Sequence, residues 1–299
     1  MQKPYVLYSI LLNADAGPGH AKQNAEGLKR AFRDAGADAQ VALVGRGDDL
    51  RGVARQLLEK RPAALVAAGG DGTVSALADV LRGGETPLGI VPAGTMNHFA
   101  KDLGIPLEPQ AAARAIVQGR RRAVDVAEVN GACFINNASL GLYPGIVKER
   151  TRQQRRLRRS KRAAMLWASL AVLDRPPLLD LQLELDGKRQ DCRAPFVFVG
   201  NNDYVMEGFD IGRREALDCG VLSVYTTKSC SAGGLLALFL HAVARRLRQA
   251  EDFTEASVTS LRVQSRRSKL MVATDGEVRV MATPLEFRIR PRALQVLVP

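Results

Sequence analysis

The residues with the clearest chemical potential form a glycine turn, Gly69-Gly70-Asp71-Gly72-Thr73, between a short apolar run and a segment with helical periodicity. Glycines allow a backbone to turn tightly and to approach a ligand, and amide groups at a helix N-terminus attract anions. The turn therefore predicts a phosphate-binding site. A tight turn with a helix cap is the simpler alternative, but three glycines with an aspartate and a threonine exceed what it needs.

Asp71 is unexpected at an anion site, because its carboxylate repels phosphate. The side chain is useful there if it orders the Mg²⁺ that accompanies ATP, or if it accepts a hydrogen bond from a hydroxyl group. Asp71 is therefore a candidate catalytic and nucleotide-binding residue. The turn is not a P-loop, whose pattern ends in Gly-Lys-Ser or Gly-Lys-Thr, and it lacks the third glycine of the Rossmann pattern.

A second glycine turn follows the next apolar run, at Pro92-Ala93-Gly94-Thr95-Met96-Asn97. Both turns would lie at the same edge of a parallel sheet, so they could hold one nucleotide between them. Four polar side chains around the two turns could bond phosphates or a sugar, namely Asn13, Thr73, Thr95 and Asn97. Turn or cap chemistry is the alternative for each of these four.

Short apolar runs alternate with helix-period segments in the part of the chain that carries these turns. The runs predict strands over residues 5–13, 40–44, 64–68 and 87–91. The intervening segments predict helices, one of which begins at about Val74. This order predicts a parallel sheet with helices on both faces, which binds ligands beyond the carboxyl ends of its strands.

The pattern changes after residue 119 to alternating apolar and polar residues with turn dipeptides. Asn130-Gly131 and Asp186-Gly187 are strong hairpin signals, and Thr274 to Glu277 could form a β-turn. These features predict an antiparallel, β-rich second half. We therefore expect an α/β nucleotide-binding domain followed by a β-sandwich-like domain whose last strands could return to the first, with bounds 1–122 and 123–299.

Positive charge is concentrated in one segment. The formal net charge is +12, and residues 148–162 contain nine basic residues and one acidic residue. The basic run from Arg150 to Arg162 continues into an apolar segment bearing Trp167, which favours contact with an anionic membrane surface. A solvated face leading into a core helix is the alternative. Nucleic-acid binding is not expected, because no aromatic residues alternate with the arginines.

The longest uncharged apolar stretches fall below the roughly 18 residues needed to span a bilayer. The four cysteines match neither a zinc-ligand pattern nor a disulfide framework. We therefore expect a cytoplasmic protein that associates peripherally with membranes. The sequence does not indicate an oligomeric state.

Motifs along most of the chain resemble the diacylglycerol kinase catalytic domain family, the superfamily that includes sphingosine kinases and bacterial lipid kinases. The two glycine turns are similar to its nucleotide loops. Asn13 with Ala16-Gly17 resembles its Asn-Pro-x-x-Gly start, although Ala14 replaces the proline. Later motifs match in order, at Asn136 to Gly141, Gly200-Asn201 and Asp275-Gly276-Glu277.

The resemblance implies an ATP-dependent lipid kinase that transfers the γ-phosphate to a lipid hydroxyl, with ATP and Mg²⁺ as cofactors. Diacylglycerol or a related lipid alcohol is the implied acceptor. In the family the glutamate at the position of Glu277 is held to be the general base for the acceptor hydroxyl. Asp275 would orient Glu277 or help to position metal. An exposed Asp-Gly hairpin is the alternative for this segment.

Two positions depart from the family pattern. His98 follows Asn97 where the family has aspartate, and a neutral imidazole cannot replace a carboxylate that binds cation-linked water. The family also carries a structural Mg²⁺ site around Asp-x-x-Asp-Gly-Leu. Here Ala216 and Cys219 stand at its two carboxylate positions, and Asp218 is one residue out of place.

Two other functions remain open at this point. NAD kinases share the Gly-Gly-Asp-Gly-Thr turn, but the Asn-Glu motif expected for their dinucleotide is missing from this chain. The second alternative is a membrane-associated regulator that binds nucleotide without catalysis, which the changes at His98 and Cys219 make conceivable. The second glycine turn and the terminal Asp-Gly-Glu favour the lipid kinase.

Overall fold

The structure is a computed structural model that divides into two compact units. It describes residues 7–14, 21–45, 47–142, 144, 178–205, 213–227, 233–234 and 253–299. Unit 1 comprises Met1–Val126 with Arg290–Pro299, and unit 2 comprises Ala127–Ile289. The division follows Val126, whereas the predicted boundary followed residue 122. The basic run from Arg150 to Arg162 lies outside the described residues.

Unit 1 alternates strands and helices along the chain. Its elements are β1 Leu7–Asn13, α1 Ala21–Asp34, β2 Asp38–Val44, α2 Leu50–Glu59, β3 Ala64–Gly69, α3 Asp71–Leu81, β4 Leu88–Pro92, α4 His98–Asp102 and α5 Pro109–Gln118. The strands form a parallel sheet in the order β2-β1-β3-β4, and Val296 near the end of the chain pairs in parallel with Leu88. Every residue of β3 is buried, as expected for a central strand covered on both faces. The predicted parallel α/β domain is confirmed.

Helix α3 begins at Asp71, so the prediction of a start near Val74 was wrong. Gly70 is the N-cap in an extended conformation, and its carbonyl oxygen accepts hydrogen bonds from the amides of Thr73 (2.9 Å) and Val74 (3.1 Å). Asp71, Gly72 and Thr73 therefore form the first turn of the helix. Their weak helical propensity concealed this turn in the sequence.

The remaining strands lie wholly or partly in unit 2, where they contribute to two sheets. These strands are β5 Arg120–Val129, β6 Ala132–Phe134, β7 Asn137–Gly141, β8 Leu179–Leu185, β9 Lys188–Ala194, β10 Phe196–Asn201, β11 Leu222–Thr227, β12 Phe253–Val258, β13 Ser260–Ser265, β14 Lys269–Thr274, β15 Glu277–Ala282 and β16 Leu285–Val298. One sheet has the order β12-β11-β10-β7-β14-β15. In the other, the first part of β16 is followed by β13, β8 and β9. The division between the units falls within β5 and β16.

The two sheets of unit 2 share one buried apolar cluster. Val197 and Val199 of β10 lie in this cluster together with Leu181 and Leu183 of β8. Each pair is separated by one residue, so both members of the pair face the same side of their strand. The predicted antiparallel, β-sandwich-like domain is confirmed.

Three hairpins of unit 2 use turns of the same kind. Asn130-Gly131, Asp186-Gly187 and Asp275-Gly276 all have positive φ, with values of 46° and 81°, 44° and 84°, and 46° and 85°. A type I′ turn requires positive φ at both central residues, which asparagine, aspartate and glycine tolerate best. The turns connect β5 to β6, β8 to β9 and β14 to β15, so all three predictions from the sequence are confirmed.

No helix within the described ranges has both the length and the apolar composition needed to cross a membrane.

Hydrogen bonds to the Asp186 carboxylate generate a testable prediction. Slight desolvation of the exposed carboxylate acts to raise the pKa of Asp186, but hydrogen bonds from Thr259 and Ser260 outweigh it and hold the pKa below its ordinary value. The ionised carboxylate therefore stabilises the fold above the unfolded pKa of about 3.9, and this contribution is lost as the pH falls through the folded pKa. Because Asp186 is exposed, solvent screening weakens this contribution, and we expect Asp186→Asn to lower Tm at pH 7 by about 1 to 2 °C.

The measurement is thermal unfolding of wild type and Asp186→Asn across a pH series. The difference in Tm should be constant well above pH 4 and should shrink below it, because the wild-type carboxylate also becomes neutral there. A difference in Tm that stays the same throughout the acid range would contradict this account.

Candidate active site

The first glycine turn is held by contacts with its own threonine. A Cβ atom at Gly69 would lie 2.5 Å from Thr73 Oγ1, so only glycine leaves room for the threonine side chain to fold back over the turn. Thr73 is buried, and its hydroxyl oxygen accepts a hydrogen bond of 3.3 Å from Asn13 Nδ2. Asn13 and Thr73 therefore shape the turn from within.

The second glycine turn is closed by Asn97. This residue adopts the left-handed conformation at φ 51°. Its Oδ1 accepts from the Gly94 amide (3.0 Å), and its Nδ2 donates to the Gly94 carbonyl oxygen (2.9 Å). One donor and one acceptor of the Asn97 side chain are thus used inside the turn. This agrees with the alternative role of Asn97, in which its side chain stabilises the turn. Thr95 is exposed at the tip of the same turn, and His98 is exposed at the start of α4.

The two turns meet through their backbones. A Cβ atom at Gly94 would lie 2.5 Å from the Gly70 Cα atom, which is closer than real Cβ atoms approach a backbone. The Ala93 amide donates to the Gly69 carbonyl oxygen at 2.9 Å. Asp71 Oδ1 accepts from the Phe99 amide of α4 at 3.4 Å. Asp71 therefore links the first turns of two helices.

The chemistry of this surface suits an anion with a bound cation. Helix α3 begins at the turn, and the first amides of a helix lack partners within the helix. At Gly72 nothing lies within 4 Å of an added Cβ atom, so space is open beside these amides. A phosphate could approach there, and the carboxylate of Asp71 could attract its Mg²⁺.

Asp275 and Glu277 occupy a hairpin of unit 2. The Asp275 carboxylate accepts three backbone hydrogen bonds, with Oδ2 receiving the Ile135 amide (2.9 Å) and Oδ1 the amides of Asn136 (2.9 Å) and Asn137 (3.1 Å). Glu277 opens β15 with a half-exposed side chain, and its Oε2 accepts from Arg279 Nη2 at 2.8 Å. The contacts of Asp275 suit a residue that orients the turn leading to Glu277.

The predicted site residues thus fall into two groups. Those on or beside the glycine turns of unit 1 are Asn13, Gly69, Gly70, Asp71, Gly72, Thr73, Gly94, Thr95 and Asn97. Glu277 belongs to unit 2. Sequence reasoning did not identify the amides that bind Asp275, because a backbone amide has no signature in the residue type. It also gave no role to Arg214, which is buried beneath those amides.

The residues at the family's structural Mg²⁺ site do not fit a metal. Ala216 has no ligand atom in its side chain. Cys219 is exposed, and its backbone amide donates to Asn202 Oδ1 at 3.0 Å. Within the described ranges, no three His, Cys, Asp or Glu side chains are grouped closely enough to hold a metal ion.

Two protein families match successive parts of the chain. The diacylglycerol kinase catalytic domain matches residues 8–129, and the YegS C-terminal NAD kinase beta sandwich-like domain matches residues 141–298. The second match covers more than half of the chain, so the chain belongs to the family that carries the YegS C-terminal domain, and its first part matches the diacylglycerol kinase catalytic domain. The family resemblance that the sequence motifs indicated is confirmed, and the chain is a member of a family of lipid kinases.

Named relatives agree with this assignment. A Pseudomonas aeruginosa protein named probable lipid kinase YegS-like is 45% identical over 113 residues, which span 37% of this chain and 37% of that relative. The Mycobacterium tuberculosis protein named diacylglycerol kinase is 29% identical over 298 residues, covering 97% of this chain and 94% of that one.

Solved structures agree on the fold. The crystal structure of a diacylglycerol kinase from Bacillus anthracis str. Sterne has a TM-score of 0.75 to this chain at 21% identity, covering 99% of this chain and 97% of that one. Similarity at this level of identity supports the fold class alone.

The contact between the two glycine turns generates a prediction with a matched pair of variants. We expect Gly94→Ala to lower Tm, because the new methyl group would overlap the Gly70 backbone. Gly72→Ala should leave Tm unchanged or slightly raised, because the position is open and alanine favours a helix. If a phosphate approaches Gly72, this variant should nevertheless bind MgATP at least tenfold more weakly, by about 1.4 kcal/mol.

Thermal unfolding and isothermal titration calorimetry with MgATP would measure both effects. Unchanged MgATP affinity in Gly72→Ala would remove this turn from the nucleotide site. An unchanged Tm in Gly94→Ala would show that the turns separate without cost.

Proposed function

We propose that this protein transfers the γ-phosphate of ATP to the hydroxyl group of a lipid. The observation that carries the proposal is the backbone contact between the turns at Gly70 and Gly94, beside the N-terminus of α3. Family membership supports a lipid hydroxyl as the acceptor. Diacylglycerol or a related lipid alcohol is the acceptor that we propose.

In this proposal the two glycine turns bind MgATP as substrate. The amides at the start of α3 donate hydrogen bonds to phosphate oxygens, while Gly72 leaves room for their approach. Asp71, which is already fixed by the Phe99 amide, orients the Mg²⁺ through its carboxylate. Thr95 adds a hydroxyl donor at the exposed tip of the second turn. Asn13 and Asn97 contribute by fixing the shape of the turns.

Glu277 acts as the general base in the proposed reaction. Its carboxylate accepts the proton of the lipid hydroxyl as the hydroxyl oxygen attacks the γ-phosphorus in line. A bond then forms between this oxygen and phosphorus, and the bond from phosphorus to the bridging oxygen of ADP breaks. The products are a phosphorylated lipid and ADP. Positioning and charge neutralisation by the two turns supply most of the acceleration.

Access to a lipid substrate requires contact with a membrane. We infer that the basic run from Arg150 to Arg162 binds the anionic surface of the cytoplasmic leaflet, so that the protein works as a peripheral membrane enzyme in the cytoplasm. The sequence alone supports this part of the proposal, through its charge and the neighbouring Trp167.

Replacement of Glu277 tests the role of the base. We expect Glu277→Gln to lower turnover at least about 100-fold while MgATP affinity stays within about twofold, since the amide cannot accept the proton. Glu286→Gln is the matched control, because Glu286 also pairs with an arginine two residues later on its strand, with Arg288 Nη2 at 3.2 Å. The control should retain wild-type turnover. Wild-type turnover in Glu277→Gln would refute the assignment.

The acceptor can be identified without choosing a candidate lipid in advance. We expect a total lipid extract incubated with protein and MgATP to yield a lipid heavier by one phosphate group, which mass spectrometry would identify. NAD should be included in a parallel reaction, because the second domain matches a sandwich described as NAD kinase-like. Phosphorylation of NAD alone would favour the NAD kinase alternative. MgATP binding without any product would favour the regulator that lacks catalysis.

A further inference from the structure

Arg214 is a buried cation in unit 2 that the proposed reaction does not yet use. Its side chain is only 1% exposed, and arginine stays protonated in proteins. Burial of a charge is costly unless hydrogen bonds satisfy it. Here Nη1 donates to the carbonyl oxygens of Ile135 (2.6 Å) and Asn201 (3.1 Å), and Nη2 donates to Asn136 Oδ1 (2.8 Å).

One peptide group connects Arg214 to Asp275. The peptide between Ile135 and Asn136 accepts from Arg214 at its carbonyl oxygen and donates from its amide to Asp275 Oδ1 at 2.9 Å. The cation and the carboxylate therefore lie at opposite ends of the same peptide dipole. Hydrogen bonds in such a series polarise and strengthen one another, most strongly away from water.

The next peptide group is held in the same manner. The Asn136 carbonyl oxygen accepts from Tyr204 Oη (3.0 Å) and from the Asn201 amide (2.9 Å). The amide of the same peptide, on Asn137, donates to Asp275 Oδ1 at 3.1 Å. The Tyr204 ring also supports the cation, because its centroid lies 5.4 Å from Arg214 Cζ.

We propose that Arg214 is a positioning residue for Glu277, acting through the peptide between Ile135 and Asn136 and through Asp275. The inference rests on the proposed function, in which Glu277 is the general base. Asp275 is the first central residue of a type I′ turn, and Glu277 is the first residue after that turn. The amides that fix the Asp275 carboxylate therefore also fix the backbone that presents Glu277.

A catalytic carboxylate has to be held within a fraction of an ångström, and a displacement of about 1 Å can cost about 100-fold in rate. Loss of the guanidinium would free the carbonyl end of the peptide and loosen the amides that face Asp275. The consequence is a loss of turnover without a loss of nucleotide affinity, because the glycine turns belong to unit 1.

The test compares Arg214→Met with Arg214→Lys in the full-length chain, using MgATP and a total lipid extract. We expect Arg214→Met to lower kcat per folded molecule by about 10- to 100-fold, with KM for MgATP within about twofold. Arg214→Lys retains the cation without the forked geometry and should recover part of the loss. If Arg214 had only a structural role, its replacement would lower Tm and leave kcat per folded molecule unchanged.

Coupling to Asp275 provides a second measurement. Asp275→Asn retains a residue that tolerates the turn but places an amide NH₂ group against a backbone amide. We expect Asp275→Asn to lower kcat by about 10- to 100-fold. The double variant with Arg214→Met should have a kcat no more than about twofold below that of the less active single variant. Asp186→Asn is the matched control, since Asp186 also begins an Asp-Gly turn and binds amides. This control should keep wild-type kcat. If the decrease in kcat of the double variant equalled the product of the two single decreases, the proposal would be overturned.

Tyr204→Phe gives a test if Arg214→Met does not fold, because it deletes one hydroxyl that binds the same loop. We expect a decrease in kcat of about two- to fivefold. Wild-type kcat in both Tyr204→Phe and Arg214→Lys, with Glu277→Gln inactive, would refute the role of Arg214 and spare the proposed function. An active Glu277→Gln variant would refute both.

Discussion

The approach of two backbones at Gly70 and Gly94 is the constraint on which the glycine turns of unit 1 depend. Adjacent strands of a sheet lie about 4.8 Å apart, so turns that leave two such strands compete for the same space. Any side chain at Gly94 would separate them. With glycine at both positions, the turn after β3 accepts a hydrogen bond from the turn after β4, and Asp71 reaches across to the Phe99 amide. The site is therefore a product of close packing as much as of polar chemistry.

Much of the fold was predictable because its constraints are local. Buried parallel strands leave continuous apolar runs, and β1 to β4 were anticipated from such runs. Type I′ turns need two residues of positive φ, so Asn130-Gly131, Asp186-Gly187 and Asp275-Gly276 revealed three hairpins. The start of α3 was missed because aspartate, glycine and threonine are weak helix formers. In the folded protein, the packing of the two glycine turns outweighs this low helical propensity. Helix α4 has only five residues, which is too short to show a period.

The site was predictable to a different extent in each unit. Glycine, threonine and aspartate in one turn indicate phosphate chemistry by their types alone, whereas the partners of Asp275 are backbone amides some 140 residues earlier in the chain. Contacts of that kind follow from the tertiary fold and leave no mark on the residues that make them. Arg214 was overlooked for the same reason. A lone arginine in a basic protein is ordinarily a surface residue, and only its burial shows otherwise.

Strand β16, at the end of the chain, pairs with the outer edge of β4 in the sheet of unit 1, where Val296 lies beside Leu88. The residues between these positions include all of unit 2. During synthesis, the first four strands therefore emerge long before the strand that completes their sheet, and the outer edge of β4 has to wait unpaired. Because exposed strand edges invite pairing with other chains, the nascent protein is most vulnerable to aggregation in that interval. Its yield in a cell should depend on how fast ribosomes complete the last two hundred residues and on chaperones that shield this edge meanwhile.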